Sequence, residues 1–209
     1  MTVNIRATES TTSAEPLDIL ALYRTMLTAR VMNDLLKIRK TQGKFPFYIG
    51  CAGHESMAAV TAVLNPDDWM SLYYRDLAAW LQRTGDIIGP LREAYSRTTG
   101  PMGAGRNMPS HYSSKQQHIL PTFSEVGGLA PFAGGIAFAL KREKRDEIIL
   151  FTVGDGGTAT NDFNALFRQA AVHQLPILMV VEDNGWAITT ASSIQWGGSL
   201  VEWARGGGV

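Results

Sequence analysis

The stretch EIILFTVGDGG (residues 147–157), answered by PILMVVEDNGW (176–186), decides how this chain folds. Each is an apolar run that ends in Gly, Asp or Asn and reads as a strand. Between them, Asn161 to His173 carries apolar residues at helical spacing. A strand, a crossover helix and a second strand make a right-handed parallel unit, so both strands end at one edge of the sheet. Ligands of open α/β sheets bind outside those carboxyl ends. Asp155 and Asn184, one at each strand end, are therefore expected to converge on a common ligand.

The residue types at those ends suit a magnesium ion carrying a diphosphate. Mg²⁺ demands near-octahedral oxygen coordination. Asp155 can supply a charged carboxylate, Asn184 a neutral amide oxygen, and the Trp186 backbone a carbonyl, with phosphate and water completing the set. Gly156 and Gly157 permit close backbone approach, and their N–H groups can face phosphate as a helix begins. Gly-Asp-Gly on its own is also an ordinary tight turn. The partner at matching depth on the next strand favours the site. Arg75, after a short strand, can reach phosphate as a bidentate donor; the competing reading is an ion pair with Asp76 or another neighbour.

Working outward, Pro16 can open a helix that continues through Leu20, Leu27, Val31, Leu35 and Ile38, with Gly43 after its end. His54 to Leu64 reads as a second helix, Trp69 to Tyr74 as a strand, and Leu77–Gln82 and Asp86–Arg97 as two further helices. Gly100 to Val126 is a long irregular segment whose apolar residues favour an ordered, functional loop. Pro131 to Lys141 is a helix rich in Gly and Ala, suited to close packing on either the sheet or a partner subunit. His54, His111, His118 and His173 lack metal-type spacing; His54 suits capping or packing, and His111 and His118 are candidates for substrate contact. Cys51 reads as a packed small hydrophobe.

At 209 residues and 45% hydrophobic content, the chain can bury a sizeable core, most simply as one domain over 16–209. Its 19 basic and 19 acidic residues cancel, with no block of one sign, which argues against a nucleic-acid surface. No apolar run approaches the ~20 residues of a membrane span. Met1 to Glu15 has no apolar signal core and reads as a disordered lead-in, and a single Cys fits a reducing compartment, with the cytoplasm expected. Two strands plus one near Trp69 make a thin sheet, so the chain is expected to stop before its fold is complete.

These motifs together resemble one family. Gly154-Asp155-Gly156 followed by Asp183-Asn184 is similar to the thiamine-diphosphate motif, a Gly-Asp-Gly that ends in Asn-Asn. Tyr74-Arg75-Asp76, RNMPSHY (106–112), the 133–141 helix and NGWAIT (184–189) resemble the alpha subunit of the first component of 2-oxo acid dehydrogenases, the branched-chain type above all, from Leu17 to Val209. The resemblance implies an α/β thiamine-diphosphate-binding fold with a mostly parallel sheet flanked by helices. It implies oxidative decarboxylation of a 2-oxo acid, branched-chain favoured, with acyl transfer to a lipoyl group. Pyruvate or acetoin dehydrogenase alpha subunits, or a non-catalytic cofactor-binding fragment, are the alternatives.

By the same resemblance Asp155, Asn184 and the Trp186 carbonyl hold magnesium, and Tyr74, Arg75, Gly156 and Gly157 hold the diphosphate. Backbone near Ser124 and Val126 meets the aminopyrimidine. Asp183 stands where the family has its first Asn, which leaves the ligating Asn184 in place. The implied partners are a beta subunit that supplies the activating Glu within a heterotetramer, and a lipoyl-bearing acyltransferase. The family's alpha subunit also carries a catalytic His beyond the point matching Val209, so the isolated chain is expected to be inactive.

Overall fold

A computed structural model describes residues 16–208. The expected lead-in, 1–15, lies outside them. At the centre stand β2 (Ile149–Gly154) and β3 (Ile177–Glu182), paired in parallel and joined through α7 (Asn161–His173), as the apolar runs require. β1 (Trp69–Ser71) pairs in parallel with the other side of β2, giving the order β1-β2-β3.

β2 is buried along its whole length, and alternation of its side chains builds the core on both faces. Leu150 joins Met32, Met57, Met70, Leu72, Trp80 and Tyr112, beneath α1 (Ile19–Thr41), α2 (Met57–Ala62) and α3 (Leu77–Thr84). Ile149, Phe151 and Val153 point the other way, against Ala133 and Ala137 of α5 (Ala130–Arg142) and Phe163 and Leu166 of α7. The small residues of α5 let it lie close to the sheet, the packing role read from its sequence.

Local chemistry sets the element ends. Asp18 caps α1 by accepting the Ala21 N–H at 3.0 Å, so Pro16 precedes the helix. Gly43, at φ +70°, takes the left-handed conformation just past its end. His54 to Ser56 form a turn, and α2 begins only at Met57. β1 stops at Ser71, short of Tyr74, because the Tyr73 N–H turns to the Asp76 carboxyl (2.8 Å) and the Thr152 hydroxyl (2.7 Å). The fourth helix, α4 (Ile88–Ala94), carries buried Glu93, whose Oε1 accepts the Met102 and Gly103 N–H groups at 2.8 Å each. That carboxylate anchors the start of the irregular segment. Further on, the Leu120 N–H donates to Met70 and the Thr122 hydroxyl to Leu72, laying the segment along β1.

Past β2, one turn of helix, α6 (Asp155–Thr158), leads to α7. Past β3, a short hairpin of β4 (Trp186–Ala187) and β5 (Thr190–Ala191) precedes α8 (Ser192–Gln195) and α9 (Leu200–Gly207). The hairpin and α8 were not evident from periodicity, being too short to show any. Trp203 of α9 packs at a tilt on Phe167 of α7, with ring centroids 3.9 Å apart. No helix among the described residues is long and apolar enough to cross a membrane.

Candidate cofactor-binding site

The parallel register sets Gly154 opposite Glu182, so the turns that follow β2 and β3 leave the sheet side by side. Asp155 opens α6 and is only 2% exposed. Its carboxylate Oδ2 accepts the Ser192 hydroxyl. The four ion pairs among the described residues all lie elsewhere. A buried carboxylate without a cation is costly, and a bound cation would relieve that cost. No group of three His, Cys, Asp or Glu among the described residues could hold a metal. A cation at Asp155 must therefore take amide, carbonyl and ligand oxygens as well, a hard-oxygen set that fits Mg²⁺.

Asn184 and Asp183 occupy the exposed turn after β3. Asp183 Oδ1 accepts the Gly185 N–H at 2.9 Å, and Asn184 Oδ1 accepts the Trp186 N–H at 3.0 Å. These side chains thereby shape their own turn. The Trp186 side chain is 59% exposed and its backbone belongs to β4, beside α6. The glycines are required by packing. A Cβ on Gly156 would meet the Ala187 Cβ at 2.5 Å, and one on Gly157 would collide with Val153. Both residues thus let the turn press against β2 and the hairpin at once.

Across the sheet edge, Tyr73 packs its hydroxyl where a Gly154 Cβ would come within 2.8 Å, and Tyr74 lies against Tyr73 with centroids 4.0 Å apart. Arg75 forms no ion pair with Asp76. Its Nη1 donates to the Gly50 carbonyl, its guanidinium carbon lies 5.4 Å over the Tyr74 ring, and its Nε is buried without a partner. A guanidinium held this way has donor capacity left for an anion.

Asp76 is instead fully buried and faces Glu182. Burial, and then the Glu182 charge, push the Asp76 carboxyl well above its usual range, while burial raises Glu182 to about 7. The Thr152 hydroxyl donates to Asp76 Oδ2, and His54 Nδ1 contacts Glu182 Oε2. The oxygens left without another donor are Asp76 Oδ1 and Glu182 Oε1, the two available to share a proton. We read Asp76 as the group holding that proton. Burial, then Arg75, lowers His54 below the usual imidazole value. Sequence reasoning missed this pair; the one signal was an acid placed at the end of an apolar strand.

The segment around Ser124 and Val126 lies above β1 and β2. Val126 is 50% exposed, and the Ser124 hydroxyl meets His111 Nε2 at 2.8 Å. Leu72, Tyr74, Phe123, Glu125 and Gly127 share a cavity of about 30 Å³ there, room for a water rather than a ring. His118 stacks on Trp69 and binds the Asp67 carbonyl, so it serves packing. Cys51 is buried, and burial pushes its thiol up to about 12, as expected for a packed, inert side chain.

Comparison with known proteins gives the chain its relatives. It is 34% identical over 170 residues to the 2-oxoisovalerate dehydrogenase subunit alpha of Bacillus subtilis (strain 168), covering 80% of this chain and 52% of that protein. The mitochondrial subunit alpha 1 of Arabidopsis thaliana is 32% identical over 84% of this chain and 37% of its own. The mitochondrial human subunit alpha is 30% identical over 91% and 42%. The chain thus spans about half or less of the length of these relatives. Among solved structures, a Mycobacterium smegmatis enzyme assigned as thiamin diphosphate-dependent shows a partial likeness, at TM-score 0.45 and 22% identity over 74% of this chain and 25% of that one. The model of the family described as dehydrogenase E1 component matches residues 23–209. The chain belongs to the dehydrogenase E1 component family.

Proposed function

We propose that this chain holds the diphosphate and magnesium end of thiamine diphosphate in the alpha subunit of a 2-oxo acid dehydrogenase. The observation that carries the reading is Asp155, a buried carboxylate that no cationic side chain among the described residues pairs, at a strand end beside the one that leads to Asn184. When bound, the cofactor supplies the carbanion chemistry of 2-oxo acid decarboxylation. Asp155, with the Asn184 amide and the Trp186 carbonyl, would hold Mg²⁺.

Arg75 would donate to phosphate oxygens, with Tyr74 beneath its guanidinium and the glycine turn at the other side. The Asp76–Glu182 pair lies close to this anion site, yet near neutral pH it carries less charge than two ordinary carboxylates. Its raised values therefore limit the repulsion that a diphosphate would meet. Ser124 and Val126 would face the aminopyrimidine. The cavity beside them is too small to enclose a ring, which supports a site completed by a beta subunit carrying the activating Glu. The names of the relatives favour a branched-chain 2-oxo acid as substrate and, with the family, a lipoyl-bearing acyltransferase as acyl acceptor. Calorimetric titration of the purified chain with thiamine diphosphate and Mg²⁺ tests the reading, and absence of saturable binding would overturn it.

A further inference from the structure

The turn after β2 and the loop after β3 are tied together by one side chain outside the sequence motif. Ser192 opens α8, eight residues past Asn184. Its hydroxyl donates to Oδ2 of buried Asp155 and lies 3.3 Å from Oδ1 of Asp183. Its backbone N–H donates to the Gly185 carbonyl at 3.0 Å, closing the segment that follows Asn184 and contains Trp186 and the β4–β5 hairpin. The same residue thus grips the carboxylate on one strand end and the loop carrying the other oxygen donors. A hydroxyl has one proton to donate, and here it goes to the nearer acceptor, the buried Asp155 oxygen.

We propose that Ser192 is a positioning residue for the metal end of the cofactor site. It fixes the rotamer of Asp155 and holds the Asn184–Trp186 loop against the glycine turn, so that the oxygens meet one ion. The proposal rests on the reading of Asp155 and Asn184 as metal ligands. Partners that orient metal ligands typically contribute about 10- to 100-fold to metal affinity. The N–H bond to Gly185 survives any substitution that keeps the backbone, so the hydroxyl can be tested alone.

The experiment is calorimetric titration of the purified chain with thiamine diphosphate and Mg²⁺, comparing wild type, Ser192→Ala, Ser192→Thr and Asp155→Ala. Ser192→Ala is expected to weaken binding about tenfold or more, with Ser192→Thr restoring it and the urea unfolding midpoints of all three alike. Equal affinity for wild type and Ser192→Ala overturns the proposal. So does a loss that threonine fails to restore, or a loss matched by a lowered midpoint, because either marks general loop packing. If wild type and Asp155→Ala both fail to bind, the functional reading itself fails, an outcome distinct from the others.

Discussion

Gly154 and Glu182 face each other in the parallel β2–β3 ladder, the last pair of the register. One step beyond Gly154 lies a buried carboxylate that calls for a cation; Glu182 is itself an acid that shares the proton held by Asp76. Adjacent strand ends therefore carry acids of opposite character, and the difference comes from their neighbours. Glu182 has Asp76 and His54, whereas Asp155 has a serine hydroxyl.

The acid pair gives the fold a pH dependence. Folded Asp76 and Glu182 bind protons more tightly than they would unfolded, so the native state holds more protons between about pH 4 and 7 and stability falls as pH rises through that window. Glu182→Gln removes one of these groups and keeps a hydrogen-bonding side chain. Its unfolding temperature is expected to decline less than that of wild type between pH 5 and 8. Parallel curves for the two proteins would contradict the assignment.

The glycines after Asp155 have a packing requirement that can be read as stability. Gly157→Ala places a methyl group on Val153, and Gly156→Ala places one on Ala187. Each is expected to cost about 1–3 kcal/mol, the usual range for overpacking. Urea denaturation checks this, and Gly135→Ala is the control because a Cβ there meets nothing within 4 Å.

Arg75 supplies the guanidinium expected to meet phosphate. Arg75→Lys keeps the charge but loses the fork of donors and the hold on the Gly50 carbonyl. Affinity for thiamine diphosphate is expected to fall on the order of tenfold, consistent with the loss of one charge-assisted hydrogen bond. Inorganic diphosphate as competitor in the same titration reports on the anion contact directly.

Without a beta subunit the chain is expected to release no carbon dioxide from 2-oxoisovalerate. The cavity lined by Glu125 and Gly127 is only water-sized. Measurable decarboxylation by the purified chain would overturn this expectation.

Much of the architecture was written in local pattern. The apolar run of β2, the 161–173 helix and the glycine turn after Val153 need only near neighbours to be recognised. The place of Asp155 at the strand end was legible for the same reason. The Glu182–His54 contact spans 128 residues, and the Asp155–Ser192 contact spans 37. Nothing local distinguishes those partners from other polar residues at turns. β1 was read too long because Tyr73 donates to Asp76 and Thr152 rather than extending the ladder, a competition invisible in strand propensity. Glu93 stayed hidden because its partners are backbone N–H groups of a segment without periodicity.

The central claim is that Asp155 anchors a magnesium-bound diphosphate. The most direct test titrates thiamine diphosphate into wild type and Asp155→Ala, each with Mg²⁺ and with the metal removed by chelation. Tight binding is predicted only for wild type with Mg²⁺. Binding of equal strength to Asp155→Ala, or to wild type without the metal, would contradict it.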